Sequence, residues 1–399
     1  MMFNRNLNIY ILLFCVFAFC TYVTQHIFHL NEFLAEGIPT IIGNFIVLYV
    51  GIKLVRSNFK PHKTELYLYL TYLTYLISIT LFSILHNNEN LFKLIFLYQY
   101  LPVFILLLNV SKVGTNKLDF ETENAFIIIG LLGSISAIFG VMQFLHLIEI
   151  VPLDVTRARG LSRSTLNFSA LMFLSYVAAA NISNLKIRNI FLILILAGTF
   201  ASQSRGALLS IGIFTAFNFY NSRGFYKACL CYFSLFALVL MVLDLKYDVI
   251  DYFFKNTGIG DLLLRLKNGS NLSSSDNSLR VQRYLFFFQD FSPFGKGIGS
   301  TGPAANRLQE GIHYESFILN ILSQGGLVAI LFWPIFAFLS IIRLIPVSSK
   351  IIAVVVSFFT MMALQQTFEN PSVNLTAWLL VILYIMKYSR SYTKNEAIN

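Results

Sequence analysis

The sequence predicts an all-α polytopic membrane protein with about twelve transmembrane helices, and three observations predict it. Of 399 residues, 56% are hydrophobic and only 12% charged, with 40 phenylalanines and 20 tyrosines, more apolar surface than a soluble chain of this size can hide. Apolar stretches of about 18 residues or more recur, the length a helix needs to cross a hydrocarbon core about 30 Å thick. Polar and helix-breaking clusters separate most of these stretches: "RSNFKPHKTE", "SKVGTNKLDFETEN", "NISNLKIRN", "YNSRGFYK" and "RLIPVSSK".

Taken in order, the spans are expected at 8–28, 36–55, 64–85, 91–110, 124–145, 165–183, 189–203, 206–221, 227–246, 315–342, 351–369 and 373–388. The first follows Arg5 and is too long for a signal-peptide core, with no clear small-x-small cleavage site, so it reads as a retained helix. Almost no linker separates the seventh and eighth at Arg205, which predicts a tight hairpin there. The chain divides into an N-terminal membrane domain of nine helices (1–246), a large outer loop (247–314), and C-terminal helices with a tail (315–399). Within the loop, "IGDLLLRL" (259–266) is apolar enough to lie as a short interfacial helix. "NGSNLSSSDNS" (268–278) reads as a polar hinge that buries too little to fold firmly. No period of 20–50 residues repeats, which excludes solenoid and propeller architectures.

The formal net charge of +10 is explained by sidedness before nucleic acid, because Lys and Arg accumulate in cytoplasmic loops. With the N-terminus inside, the inside segments hold Arg5, Lys53, Arg56, Lys60, Lys63, Lys112, Lys117, Lys186, Arg188, Arg223, Lys227, Arg343, Lys350, Lys387, Arg390 and Lys394. The short outside segments hold only Lys93, Arg157, Arg159, Arg163 and Arg205. Both termini are therefore expected in the cytoplasm. The arginines on the far face, which sidedness does not require, point to an anionic ligand there. Cys15, Cys20, Cys229 and Cys231 lie in apolar segments without a CxxC pair or histidine cluster, as small core residues do.

The residues able to carry chemistry collect on that far face. Arg205, in "ASQSRGALLSIGIF", reads either as a snorkelling anchor in headgroups or as a phosphate ligand. Flanking Ser202, Gln203, Ser204 and Gly206 and a helix N-terminus favour the second reading. Arg280 and Arg283, three apart and so on one helical face, are either solvated or a guanidinium clamp on a diphosphate. "PFGKGIGSTG" neither follows a strand nor opens a dinucleotide-binding helix, so it reads as a tight loop of close backbone approach. Glu315, with His313 two residues before it, stands where the chain re-enters apolar sequence. It is either an acid near a helix N-terminus or a general base at a partly dry boundary. There is no DxD motif, and Asp248 and Asp251 lack histidine partners, so no metal site or other cofactor is expected.

In this order the motifs resemble the O-antigen polymerase and ligase family of bacterial envelope transferases, of the Wzy type. The resemblance rests on "RARGL" (157–161), "SRGALL" (204–209), a large outer loop, Arg280 followed four residues later by Tyr284, a Pro/Gly-rich stretch, and "ESFILNILSQGG" from Glu315. It implies a GT-C-like fold with a large periplasmic loop between helices nine and ten, in the bacterial inner membrane. It also implies a metal-independent inverting glycosyltransferase of lipopolysaccharide or related polysaccharide biosynthesis, acting on undecaprenyl-diphosphate-linked oligosaccharides. Carried over residue by residue, Arg205 and Arg280, with Arg283, hold the diphosphate. Glu315 is the catalytic base ahead of His313, and Arg157, Arg159, Tyr284 and Tyr314 face the substrates. The ligase branch has a histidine ten residues before the glycine, where Gly325 is here preceded by Glu315, which points to the polymerase branch. The partners implied are the lipid-linked substrates, the bilayer and a chain-length regulator protein, with no nucleic acid. The competing readings are a ligase passing the chain to lipid A-core, with His313 as base, and a lipid-linked sugar flippase.

Overall fold

A computed structural model describes residues 2–26, 38–46, 63–87, 91–100, 122–148, 157–162, 164–218, 285–301, 316–344, 349–365 and 370–396. Among them all extended regular structure is helical. The helices are α1 (Met2–Phe19), α2 (Thr21–His26), α3 (38–46), α4 (Lys63–Asn87), α5 (Thr122–Phe144), α6 (Thr165–Ala179), α7 (Leu185–Ala201), α8 (Arg205–Asn218), α9 (Phe317–Leu344), α10 (Ser349–Leu364) and α11 (Pro371–Glu396), and residues 285–289 are also helical. A 3₁₀ segment, Leu91–Gln99, follows α4. Two stretches among the described residues, Leu66–His86 and Thr122–Phe144, are long and apolar enough to cross a membrane. The expected segments at 227–246 and 259–278 lie outside the described residues.

Local chemistry starts these helices where the sequence changes. Ser164, in extended backbone, caps α6 by accepting from the Asn167 amide at 3.1 Å. Asn184 caps α7 through the amides of Lys186 and Ile187. Three differences from the expected spans have physical causes. The first span breaks at Cys20, where the Tyr22 amide turns away to the Leu161 carbonyl. Residues 91–99 form the tighter 3₁₀ coil, closed by a turn at Tyr100 whose carbonyl accepts from the Tyr69 hydroxyl. The α7–α8 turn is as short as expected, Ser202–Ser204, but the helices find different partners, α7 packing on α5 and α6, and α8 mainly on α10.

α6 is the axis of the bundle. It is apolar on every face, and a helix apolar all round needs neighbours all round; α5, α7, α8 and α11 supply them. Phe168, Ala170, Leu171, Met172, Phe173 and Leu174 are all fully enclosed. Small residues permit the close approach, as between α5 and α6, where a Cβ on Gly133 would stand 2.2 Å from the Ser175 hydroxyl. Cys15 is buried in α1 and Cys20 half-buried, both as thiols.

Two polar clusters mark the ends of α6. At its end, Lys387 donates to the Asn181 carbonyl at 2.5 Å and pairs with Glu123 at 3.4 Å, while Glu123 also accepts from the Ser183 amide. Arg188 and Lys350 converge on the same end. Partial burial, with Lys387 and Arg188 nearby, holds the Lys350 ammonium below its usual pKa. Near the start of α6, Ser169 meets the side chain of Gln365 at 3.4 Å. From 169 to 181 a helical rise of about 1.5 Å per residue separates the two clusters by about 18 Å.

α9 is interrupted at Gly326, whose φ of 60° and ψ of −147° lie in a region essentially restricted to glycine. The glycine-rich loop fills the break. In an unbroken helix the Leu327 amide would donate to the Ser323 carbonyl, and Val328 to Gln324. Instead Leu327 donates to the Pro293 carbonyl, and the carbonyls of Ser323 and Gln324 accept from the amides of Lys296 and Gly297. Thr80 of α4 completes the joint by accepting from the Ile298 amide at 2.7 Å. A Cβ on Gly326 would stand 2.4 Å from the Gly295 nitrogen and the Pro293 oxygen, both backbone atoms that cannot swing aside. The expected role for this loop, close backbone approach, is thus what the structure shows. Gly326→Ala combines dihedral strain of about 1–3 kcal/mol with an overpacking penalty of about 1–3 kcal/mol. We expect a clear fall in the unfolding midpoint in detergent. Gly212→Ala, where the added methyl meets nothing within 4 Å, is expected to be neutral or stabilising in the same measurement.

Candidate functional site at the N-terminus of helix eight

The candidate site is built on the three-residue turn between α7 and α8. Ser204 ends the turn as the cap of α8, its hydroxyl accepting from the Ala207 amide at 3.3 Å and its carbonyl from Leu208 at 3.1 Å. Arg205 is therefore the first residue of α8, and its side chain is exposed. Gln203, just before the cap, is held in the left-handed region at φ 53°, a conformation that costs a non-glycine residue energy and needs support from its surroundings.

That support comes from the "RARGL" segment. The Ala158 amide donates to the Ala201 carbonyl at 3.2 Å, so residues 157–159 run alongside the turn. The Arg157 guanidinium donates through Nη2 to the Gln203 carbonyl at 3.4 Å. Behind the segment, the buried side chain of Gln143 grips three backbone groups. Its Oε1 accepts from the amides of Arg159 (3.1 Å) and Gly160 (2.9 Å), and its Nε2 donates to the Gly160 carbonyl (2.9 Å). Gly160 makes this possible with a φ of 56°. A third anchor is Ser136, whose hydroxyl accepts from Leu161. Arg157 and Arg159, both half-buried, are thus mounted on a clamped strip beside the turn that carries Arg205.

A second glutamine ties this turn to α9. Gln365, buried at the end of α10, donates from Nε2 to the Ser204 hydroxyl, and its Oε1 accepts from Ser169 of α6. Its backbone carbonyl accepts from the amide of Phe317, the first residue of α9, at 3.3 Å. Gly206 leaves room for the amide to cross the start of α8, since a Cβ there would stand 2.9 Å from Nε2. Further along α9, the Gln324 amide joins Tyr100 (3.0 Å) and Thr301 (3.5 Å), and Thr301 donates to the Asn320 carbonyl. The first turn of α9 is therefore fixed both to the glycine-rich loop and to the cap of α8.

Of the residues expected to form the site, Arg157, Arg159 and Arg205 are among the described residues, the first two on a strip that runs alongside the turn leading to the third. Arg280, Arg283, Tyr284, His313, Tyr314 and Glu315 lie outside the described residues; Ser316, the next residue after Glu315, opens α9 by accepting from the Leu319 amide at 3.4 Å. The structure adds Gln143 and Gln365, which motif reading passed over, and makes Ser204, expected as a donor beside Arg205, the cap of α8. The only sequence signal of the two glutamines is a polar side chain at the end of an apolar helix.

The arrangement suits an anion. Arg205, an exposed guanidinium, stands in the first turn of α8, at the positive end of its dipole, and the strip carrying Arg157 and Arg159 runs alongside the turn before it. Comparison of the chain with protein-family models, with curated proteins and with solved structures finds no match in any of the three.

Proposed function

We propose that this chain is a polymerase of lipid-linked oligosaccharide repeat units, a membrane glycosyltransferase of about twelve spans and GT-C-like fold. The observation that carries this reading is the Gln365 tie. It brings the cap beside Arg205, through the Gln365 side chain, and the first turn of α9, which follows Glu315 in the chain, through the Gln365 backbone carbonyl, to one residue. A diphosphate ligand and a base are the two parts such a transfer needs.

In the reaction proposed, a hydroxyl oxygen of the acceptor's terminal sugar attacks the anomeric carbon of the growing chain. The bond from that carbon to the undecaprenyl diphosphate oxygen breaks, and the diphosphate leaves with the electron pair. Glu315 takes the acceptor proton, a role typically worth about 10²- to 10⁴-fold in rate. Arg205, with Arg280 and Arg283, stabilises the charge that grows on the leaving group. Arg157, Arg159, Tyr284 and Tyr314 complete the substrate-facing surface. Arg188, Lys350 and Lys387 gather at the opposite end of α6, which supports a cytoplasmic assignment for that end and a periplasmic one for the Arg205 end.

The interrupted α9 is a feature shared with transporters, where broken helices expose backbone groups to a substrate or ion. Here the carbonyls of Ser323 and Gln324 are already bonded to the loop, and the Leu327 amide likewise. That favours a structural joint over a transport site. The test is reconstitution of the full chain in liposomes with the lipid-linked repeat unit extracted from cells lacking the gene. Glycans of two or more repeats on undecaprenyl diphosphate are expected. Movement of the labelled lipid across the bilayer without bond formation would instead establish the transporter.

A further inference from the structure

We infer that Gln365 is a positioning residue: its side-chain amide holds the start of α8, and with it Arg205, while its backbone carbonyl holds the first turn of α9. The inference rests on the polymerase reading above. Gln365 closes α10, and its own amide donates to Met361 in the last turn, so its backbone is fixed. From that point it reaches three elements at once: the Ser204 hydroxyl of α8, the Ser169 hydroxyl of α6 and the Phe317 amide of α9.

A simple packing residue would not need this arrangement. An aliphatic side chain fills the same volume without leaving a buried amide to satisfy. Gln365 lies across the first turn of α8, and the position it crosses is a glycine. The amide bonds to the cap itself, so any movement of Gln365 moves the cap and the residue after it. Arg205 is exposed and makes its own reach to a phosphate, so donor binding does not depend on the tie. The transition state does, because charge develops on one oxygen in one place and a misplacement of about 1 Å can cost about 10²-fold in rate.

The experiment measures steady-state chain extension in liposomes, varying the lipid-linked donor, together with amide hydrogen exchange over 204–210. Gln365→Leu is expected to lower kcat by about 10- to 100-fold, with the donor KM changed by less than about threefold. Exchange should quicken at the α8 cap and stay unchanged across 165–179. Gly206→Ala, which crowds the amide from the other side, is expected to lower kcat in the same way. In the shorter Gln365→Asn background Gly206→Ala should cost nothing further, the non-additivity of two residues in contact. Full kcat in both Gln365→Leu and Gly206→Ala, with wild-type exchange, overturns the inference while leaving the polymerase reading in place. A loss of activity matched by an equal loss of folded protein overturns it as well. A wild-type protein that extends no chain overturns the polymerase reading itself.

Discussion

Arg205→Lys is expected to reduce chain extension on the order of 10²-fold, with unchanged yield and folding of the protein. The side chain is exposed, so the fold does not depend on it, and lysine and arginine have similar helix propensities. Charge is preserved as well. What is lost is the planar fork that makes two parallel hydrogen bonds to phosphate oxygens. The position strengthens the argument. A cation in the first turn of a helix opposes the dipole, by about 0.3–1 kcal/mol at an exposed site. An arginine serving as a membrane anchor gains nothing from standing at the first position of α8. Near-normal polymerisation by the lysine variant would nevertheless reduce Arg205 to that anchor.

The second large effect is expected at Glu315. Glu315→Gln preserves shape and removes the basic carboxylate, so chain extension should fall by about 10²- to 10⁴-fold, while the protein inserts and binds undecaprenyl diphosphate as before. His313→Ala should retain measurable extension, because the ring at most orients a sugar or screens the carboxylate. Extension assays on both variants, with donor binding measured alongside, give the ranking. The reverse order, an active Glu315→Gln and a dead His313→Ala, transfers the base to His313 and favours single transfer to lipid A-core.

Features that depend on near neighbours in the chain were legible in the sequence. The helices at 122–144, 165–179 and 205–218 follow their apolar runs closely, and the short turn before Arg205 is visible as the absence of a linker. "RARGL" and "SRGALL" were expected on one face, and the Ala158–Ala201 and Arg157–Gln203 bonds show in addition that the first segment runs beside the turn before the second. The break in α9 was not legible, because two glycines in a helical run are tolerated by propensity alone and their partner loop lies about thirty residues earlier. Gln143 and Gln365 were silent for a similar reason. A glutamine carries no motif, and its meaning depends on which distant backbone or hydroxyl its amide finds, here Gly160 for one and Ser204 for the other.

The joint at Gly326 also limits how this chain can be recombined. A crossover placed at 314/315, where hydropathy changes, looks natural for building chimaeras with other chains. It would separate Pro293, Lys296 and Gly297 from the Ser323, Gln324 and Leu327 groups they bond, and would leave backbone donors and acceptors of both parents unmatched inside the protein. Residues 293–298 and 323–327 therefore form one inherited cassette, and Thr80 of α4 belongs to it as well. Hybrids that respect the cassette must take α4, the glycine loop and α9 from the same parent.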